Sequence, residues 1–320
     1  MPSCIIRSSR IAWTRPKTSP LTHSDPRQSL LDAEADYRRF DVLPEGVVRV
    51  ADGVIAAERL LACAPGAAAA SGRAAGGGEG PQGAPSAPGD PVPGSCPTPV
   101  RIAAFDFDGT SIDGNSPVSL VRYLGLRRRL SFGTMLRIGL WGLAYKLRLP
   151  QDEARVRSRV FSAFKGKKVT AVNRYLWSFY DTEVDGRFRP SATAEMERHL
   201  AAGHAVVCVS ASFEPIIAAA AARHPIQFAI ATRMQVTPEG TYVNHVLGEP
   251  MEGPAKLEAL TRFADERFGA GRWVLEAAYG DHHSDRALLA AAEHACAVCP
   301  DRPLSRTARE RGYDVRDWEA

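Results

Sequence analysis

Two aspartates separated by one residue, Asp106 and Asp108, follow the apolar segment Val100–Phe105 and precede Gly109. In an extended chain, residues i and i+2 point to the same side, so both carboxylates project together while Phe107 packs away. Because close carboxylates repel each other, keeping both charged requires a cation, and hard oxygen ligands suit Mg²⁺. A solvated, Asp-rich turn is the alternative interpretation of this motif taken alone.

A hydroxyl group and a lysine lie at two further positions suited to phosphate binding. Ser210 and Ala211 follow the apolar run 205–209 and precede a predicted helix, which makes a hydroxyl and free backbone N–H groups available. Hydroxyls and helix N-termini bind phosphate oxygens. Lys256 lies at the start of a helix predicted over Pro254–Phe268 and supplies a positive charge.

A second pair of acids, Asp281 and Asp285, follows the apolar run 274–278. Ligands of parallel α/β sheets bind at the carboxyl ends of the strands, so all these groups are expected at one edge of a sheet. Two pairs of carboxylates, a hydroxyl and a lysine at such an edge predict Mg²⁺-assisted phosphoryl transfer.

The elements that must position these residues are short buried strands alternating with helices. Strands buried on both faces that alternate with helices predict an α/β fold, a Rossmann-like three-layer arrangement around a parallel sheet. Two short runs around residues 238–240 predict a β-hairpin beside that sheet. The predicted strands cover Val100–Phe105, 205–209, 227–230, 274–278 and 295–298.

The four motifs, in this order, resemble those of the haloacid dehalogenase (HAD) superfamily, which consists mostly of phosphatases. The resemblance covers roughly residues 100–317. The long insert between the first two motifs and the segments 209–215 and 279–281 are similar to subfamily IB, the phosphoserine-phosphatase-like branch. This resemblance implies a HAD core with a helical cap domain inserted between the first two motifs.

The resemblance also implies a role for each motif residue. Asp106 is expected to be the nucleophile that becomes an aspartyl phosphate, and Asp108 the acid and then the base. The phosphate-binding residues are expected to be Ser210, Lys256, Gly109 and Ala211. The Mg²⁺ ligands are expected to be Asp106, the Asp108 backbone carbonyl, Asp281 and Asp285, the last as a ligand or as a partner of the ligands.

Substrate choice depends on two positions by the same resemblance. Phosphoserine phosphatases have a glutamate that receives the substrate's amino group, and the aligned residue here is Asn115, whose neutral amide disfavours serine phosphate. Arg159 aligns with a cap arginine that contacts a carboxylate. We therefore expect a small or lipid-like anionic phosphate ester. Phosphoserine phosphatase proper, a phosphotransferase using the same intermediate, and a non-enzymatic module that recruits a membrane or partner are the alternatives.

The composition changes along the chain and predicts its domains. Of the 36 residues in 64–99, 29 are Ala, Gly, Pro or Ser, which predicts a flexible linker. Residues 1–63 are an N-terminal extension with short apolar pieces too few for a core. The first 24 residues contain four basic side chains and no acidic one, a weak indication of a transit peptide; a disordered extension, or a start codon assigned too far upstream, is the preferred interpretation. The catalytic core is predicted over 100–115 and 187–320, and the cap over 116–186.

Charge and cysteine content exclude several classes of protein. The net charge of the 320 residues is only +4, too small to indicate nucleic acid binding. The apolar runs are too short for a membrane-spanning helix. The six cysteines have no secreted-domain spacing and no signal peptide precedes them, so we expect reduced thiols in a cytoplasmic protein.

The predicted cap is strongly basic. Residues 116–190 contain 16 basic and 5 acidic side chains, and residues 132–149 are predicted to form a largely apolar helix with scattered basic residues. Packing of this helix within the cap is the preferred interpretation, and peripheral contact with an anionic membrane surface is the alternative.

Histidines and cysteines near the last motif raise the question of two further sites, and we expect neither. His282 and His283 are expected to be loop residues on the rim of the site, with contact to the leaving group as the alternative. A zinc site built from His294, Cys296 and Cys299 is not expected, because a lone CxxC without a partner pair is a weak signal.

Overall fold

The computed structural model describes residues 42–63, 98–126 and 162–318, together with Phe40 and Pro65. Arg159, the apolar basic segment 132–149 and most of the predicted linker lie outside the described residues. The same is true of Cys4 and Cys96.

Strands and helices alternate along the described chain. The strands are β1 (Val47–Ala51), β2 (Val54–Ala57), β3 (Val100–Phe105), β4 (Ala205–Phe213), β5 (Phe228–Thr232), β6 (Met234–Val236), β7 (Tyr242–Val246), β8 (Trp273–Gly280), β9 (His294–Val298) and β10 (Asp314–Arg316). The α-helices are α1 (Glu58–Leu61), α2 (Ser116–Leu126), α3 (Val169–Phe179), α4 (Pro190–Ala201), α5 (Glu214–Arg223), α6 (Pro254–Phe268), α7 (Arg286–Ala291) and α8 (Arg302–Arg311).

The described residues form an eight-stranded sheet in the order β1-β2-β5-β4-β3-β8-β9-β10. The strands from β5 to β10 in this order pair in parallel, which confirms the predicted α/β fold with a parallel sheet. Alternate residues of β3 face opposite sides: Ile102 and Ala104 pack in one hydrophobic cluster, Ala103 and Phe105 in the other. The central strand is therefore buried on both faces, and its carboxyl end lies at the middle of the sheet edge.

Residues 47–57 of the N-terminal extension, for which the sequence indicated no structure, belong to the edge of the sheet. Strands β1 and β2 form an antiparallel hairpin, and β2 pairs antiparallel with β5 at the edge of the sheet. Ile55 is fully buried there. The apolar pieces of this segment are too few to build a core of their own, but they suffice to extend a sheet that the rest of the chain already provides.

Two arginines, Arg49 of β1 and Arg59 of α1, bind this part of the chain to helix α5. The Arg49 guanidinium donates to both carboxylate oxygens of Glu214, at 3.2 and 2.7 Å. Arg59 donates to the carbonyl oxygens of Ala221 and Ala222 in the last turn of α5 and to that of His224, which follows the helix. The hairpin and helix α1 thus contact the two ends of the helix that follows strand β4.

The predicted hairpin over residues 234–246 is confirmed, because β6 and β7 pair antiparallel in a separate two-stranded sheet. Tyr242 of β7 is buried and donates to Asn173 Oδ1 of helix α3 at 2.7 Å. Helices α2 and α3 belong to the predicted cap segment and are amphipathic or apolar, as a packed helical insert requires. Among the described residues, no helix is both long and apolar enough to cross a bilayer.

We predict that Arg49→Ala lowers the free energy of unfolding by about 3–5 kcal/mol, because it removes the guanidinium that donates to both oxygens of the buried Glu214 carboxylate. The measurement is chemical unfolding followed by circular dichroism. Arg306→Ala is the matched control, since the Arg306–Glu310 pair is exposed on both sides and its loss is expected to cost about 0.5 kcal/mol or less. Equal effects of the two substitutions would contradict the structural role of the hairpin.

Candidate active site

Strand β3 delivers Asp106 to the sheet edge beside strand β8. The Asp106 N–H donates to the Tyr279 carbonyl at 2.9 Å, and the rings of Phe105 and Tyr279 stack with centroids 4.3 Å apart. The Ser111 hydroxyl donates to the Asp106 carbonyl at 2.6 Å. These contacts hold the backbone of Asp106 next to Tyr279 near the end of β8. Asp281 follows two residues after Tyr279.

Three carboxylates converge at this edge. One oxygen from each of Asp106, Asp281 and Asp285 lies within 4.8 Å of the others. Gly109 makes the approach possible: it has φ +79°, and a Cβ at this position would lie 2.1 Å from Asp281 Oδ2. A side chain at residue 109 would therefore displace Asp281 from the cluster, which explains the glycine after the two aspartates of the first motif.

Lys256 lies between two of the carboxylates. Its Nζ donates to Asp106 Oδ1 at 2.6 Å and to Asp285 Oδ1 at 2.7 Å, and the lysine is buried. Helix α6 positions this side chain, since Lys256 is its third residue, after Pro254 at the helix start. Burial opposes the charge of the ammonium, yet the two carboxylates raise its pKa above the ordinary value. The lysine therefore stays charged.

One ammonium does not balance three acids, of which Asp106 and Asp285 are buried and Asp281 is half-buried. Burial, and then the neighbouring carboxylates, raise the pKa of Asp281 to about 9. The pKa of Asp106 is raised to about 7, chiefly by burial, although Lys256 opposes the shift. These two carboxylates therefore tend to bind protons, and a divalent cation that neutralised their charge would compete with those protons. A cluster of hard oxygen donors with more negative than positive charge fits Mg²⁺.

Asp108 points away from the three-carboxylate cluster and into a separate set of hydrogen bonds. Its Oδ1 accepts from the Ser116 N–H at 2.5 Å, and its Oδ2 accepts from the Ser212 hydroxyl. The Ser116 and Ser212 hydroxyls also lie 2.8 Å apart. Burial raises the pKa of Asp108, and these hydrogen bonds oppose that shift. A carboxyl group with a raised pKa is suited to exchanging protons.

Sequence reasoning missed the two serines that hold Asp108. Ser212 belongs to the serine-rich motif around Ser210, so its residue type was visible in the sequence, but its contact with Asp108 spans 104 residues. Ser116 is the first residue of α2, and it contacts Asp108 through a backbone group, which no residue type signals.

Ser210 lies inside a strand and not beyond its end. Strand β4 continues to Phe213, and its pairing with β5 is irregular between Ser210 and Phe213. Ser210 is fully buried, and its Oγ accepts from the Ser212 N–H at 3.0 Å. Ala211 is half-buried. The expectation that the strand ends at residue 209 is wrong, because the irregular pairing lets the chain stay extended through the motif.

Asn115 caps a helix. Its Oδ1 accepts from the Val118 N–H at 3.0 Å, at the start of α2, and the residue is exposed. This is the hydrogen bond that an asparagine at a helix N-cap makes. The predicted substrate role of Asn115 stays a prediction, and Arg159 lies outside the described residues.

Comparison with known proteins places this arrangement in a family. The sequence model of the haloacid dehalogenase-like hydrolases matches residues 103–290, more than half of the chain. The chain belongs to this family. The match begins inside β3, which delivers Asp106, and ends after Asp285, so it spans every residue of the carboxylate cluster.

Individual relatives of this hydrolase are distant. The chain is 27% identical over 222 residues to phosphoserine phosphatase SerB1 of Mycobacterium tuberculosis, covering 68% of this chain and 70% of the relative. A solved structure of a Bordetella pertussis protein of unknown function superposes with a TM-score of 0.61 at 22% identity, covering 69% of this chain and 99% of that one. A substrate-bound phosphoserine phosphatase superposes with a TM-score of 0.50 at 18% identity, covering 69% and 94%. These structures share the fold of this hydrolase.

The raised pKa values predict how Mg²⁺ and pH together change stability. An acid whose pKa rises from 3.8 to about 9 on folding keeps its proton in the folded state only, so the metal-free protein loses stability as the pH rises through this range. Mg²⁺ must displace that proton. We therefore predict that saturating Mg²⁺ raises the melting temperature more at about pH 8.5 than at about pH 6.

The measurement is differential scanning fluorimetry with and without Mg²⁺, and Asp281→Asn is the control. This variant removes one charged ligand, so the Mg²⁺-induced increase should shrink at both pH values. An increase in the wild type that is equal at the two pH values, or larger in acid, would contradict the electrostatic description of the cluster.

Proposed function

We propose that this hydrolase is a Mg²⁺-dependent phosphomonoesterase that works through a phosphorylated Asp106. The observation that carries the proposal is the convergence of Asp106, Asp281 and Asp285 within 4.8 Å, with the Lys256 ammonium on Asp106. The cluster supplies a nucleophile, a cation site and a fixed positive charge at one sheet edge. Mg²⁺ bound by Asp106, Asp281, Asp285 and the Asp108 carbonyl would supply charge neutralisation between the nucleophile and the phosphate group.

In the first step, a carboxylate oxygen of Asp106 attacks phosphorus and forms an acyl phosphate, while the bond from phosphorus to the alcohol oxygen breaks. Asp108, whose pKa is raised by burial, gives its proton to the departing alkoxide. Lys256 holds Asp106 Oδ1, which leaves Oδ2 for the attack. The first products are an alcohol and the phosphorylated Asp106.

In the second step, Asp108 is the base. Having lost its proton, it accepts one from a water molecule as the water oxygen attacks phosphorus. The bond between phosphorus and the Asp106 oxygen breaks, which releases inorganic phosphate and regenerates the carboxylate. Ser212 and Ser116 donate to Asp108 and so stabilise its ionised form between the two steps.

An alcohol in place of water would make the same protein a phosphotransferase. The described residues contain no feature that distinguishes the two acceptors, and product analysis with an added alcohol separates them. A non-enzymatic recruiting module would not need the buried Asp106–Lys256–Asp285 array, since burying these charges is costly. Hydrolysis is therefore the function that we propose.

The substrate that we propose is a small or lipid-like anionic phosphate ester. Phosphoserine is the second candidate, and the name of the mycobacterial relative favours it. Against it stands Asn115, a neutral residue whose side-chain oxygen is engaged with the Val118 N–H. A neutral amide does not compensate the ammonium group of phosphoserine.

The first test of the function is phosphate release from an aryl phosphate in the presence of Mg²⁺. We predict that Asp106→Asn lowers kcat by about a thousandfold or more, because it removes the nucleophile. Asp108→Asn should retain the first step with this good leaving group and accumulate phosphorylated Asp106, detectable by intact-protein mass spectrometry after acid quench. Unchanged turnover in Asp106→Asn would refute the covalent mechanism.

The second test concerns phosphoserine and uses Asn115. Asn115→Asp keeps a good helix cap and adds a negative charge, whereas Asn115→Ser keeps the cap and stays neutral. If residue 115 faces the substrate's amino group, kcat/KM for phosphoserine should rise about tenfold or more in the Asp variant only. If both variants change kcat/KM for phosphoserine by the same factor relative to the wild type, residue 115 does not contact the substrate's amino group.

As the alternative to packing of this segment within the cap, we also propose that the basic segment between the first two motifs contacts anionic membranes. The support is its charge, 16 basic against 5 acidic residues over 116–190. Flotation with vesicles should show binding to anionic and not to zwitterionic lipid, and binding that falls as salt rises. If the protein floats equally with anionic and zwitterionic vesicles, or with neither, the proposal is wrong.

A further inference from the structure

A second group of metal-ligating side chains lies beside the carboxylate cluster. His282 and His283 follow Asp281 in the loop after β8, and Asp301 lies at the start of α8. The ligand atoms of these three residues lie within 4.8 Å of one another, and each residue is partly exposed. The loops that carry them are joined by a hydrogen bond from the Asp301 N–H to the Asp281 carbonyl, 2.8 Å long.

Two of these side chains, Asp301 and His282, are held by contacts that leave one ligand atom toward the others. Asp301 Oδ1 accepts from the Leu304 N–H at 2.7 Å as the helix cap of α8, and Oδ2 remains for the histidines. His282 Nδ1 accepts from the Ser284 N–H at 3.3 Å and lies 3.0 Å from the Ser284 hydroxyl, while Nε2 faces Asp301. Metal binding at Nε2 requires the ring proton on Nδ1, where the Ser284 hydroxyl would accept it in place of the longer contact from the Ser284 N–H.

The separations between these atoms are wide for hydrogen bonds and suited to a shared ion. His282 Nε2 and His283 Nδ1 lie 3.4 and 3.9 Å from Asp301 Oδ2. Good N–H···O hydrogen bonds are about 2.7–3.2 Å long. Zinc–ligand bonds of about 2.0–2.2 Å place two tetrahedral ligands roughly 3.4 Å apart. The backbone N–H of His283 also approaches Asp301 Oδ2, at 3.4 Å, and supports its orientation.

We propose that His282, His283 and Asp301 form a binding site for Zn²⁺, distinct from the Mg²⁺ site. Two imidazoles and one carboxylate are the donor set that Zn²⁺ takes in sites with an open fourth position, and partial exposure lets water fill that position. The carboxylate cluster offers oxygen donors only, which suit Mg²⁺. An ion here would tie the loop that carries Asp281 to the loop that precedes α8.

The test is a calorimetric titration of Zn²⁺ into the full-length, metal-stripped protein with Mg²⁺ saturating. Two substitutions remove a ligand and retain local structure: His282→Asn keeps an acceptor for the Ser284 N–H, and Asp301→Asn keeps the helix cap. Each should weaken Zn²⁺ binding about tenfold or more. His294→Asn is the matched control, because His294 is an exposed histidine outside the cluster.

Zn²⁺ is also able to enter the carboxylate cluster, so Asp281→Asn is titrated alongside. The proposal expects this variant to retain the Zn²⁺ site that His282→Asn weakens. Equal Zn²⁺ affinity in His282→Asn, Asp301→Asn and His294→Asn would overturn the proposal. If the ligand variants do not fold, the wild type decides: Zn²⁺ added to the Mg²⁺-saturated protein should raise its melting temperature, and no increase would overturn the proposal.

Discussion

The close approach of three carboxylates, two buried and one half-buried, around one ammonium is the constraint on which the rest of the structure depends. Asp106, Asp281 and Asp285 come from two strand ends, and Lys256 neutralises part of their charge. Like charges in a poorly solvated site destabilise the folded chain unless protons or a cation compensate them. The same deficit of positive charge that makes the site costly gives it affinity for a divalent cation, so the stability and chemistry of this hydrolase have one origin.

The sheet makes this concentration of charge possible. Strands β3 and β8 are neighbours and run in parallel, and their alternate residues pack in hydrophobic clusters on the two faces. The edge hairpin extends the same sheet, and Arg49 fixes it to Glu214, two residues after Ser212. Residues of the N-terminal extension thus support the segment that positions Asp108. Burial of apolar surface in the sheet thus stabilises a fold in which mutually repelling acids are held close together.

Local patterns in the sequence predicted much of this arrangement. The strand Val100–Phe105 and the helix Pro254–Phe268 agree with prediction to the residue, because apolar runs and Gly-Pro punctuation encode them locally. The first motif and the last one were visible as acids after apolar runs. What the sequence did not reveal depends on distant contacts: the place of β1 and β2 at the sheet edge, and the serine pair on Asp108. Asn115 shows a third limit, because the same residue type serves a helix cap and a binding site.

The most direct test of the cation site is a crystal structure grown with Mn²⁺, which substitutes for Mg²⁺ and gives an anomalous signal. This account predicts one strong anomalous peak within bonding distance of the Asp106, Asp281 and Asp285 carboxylates, with Lys256 still on Asp106. No peak at this position under saturating Mn²⁺, with the three acids instead sharing protons, would contradict the central claim that their charge is compensated by a divalent ion.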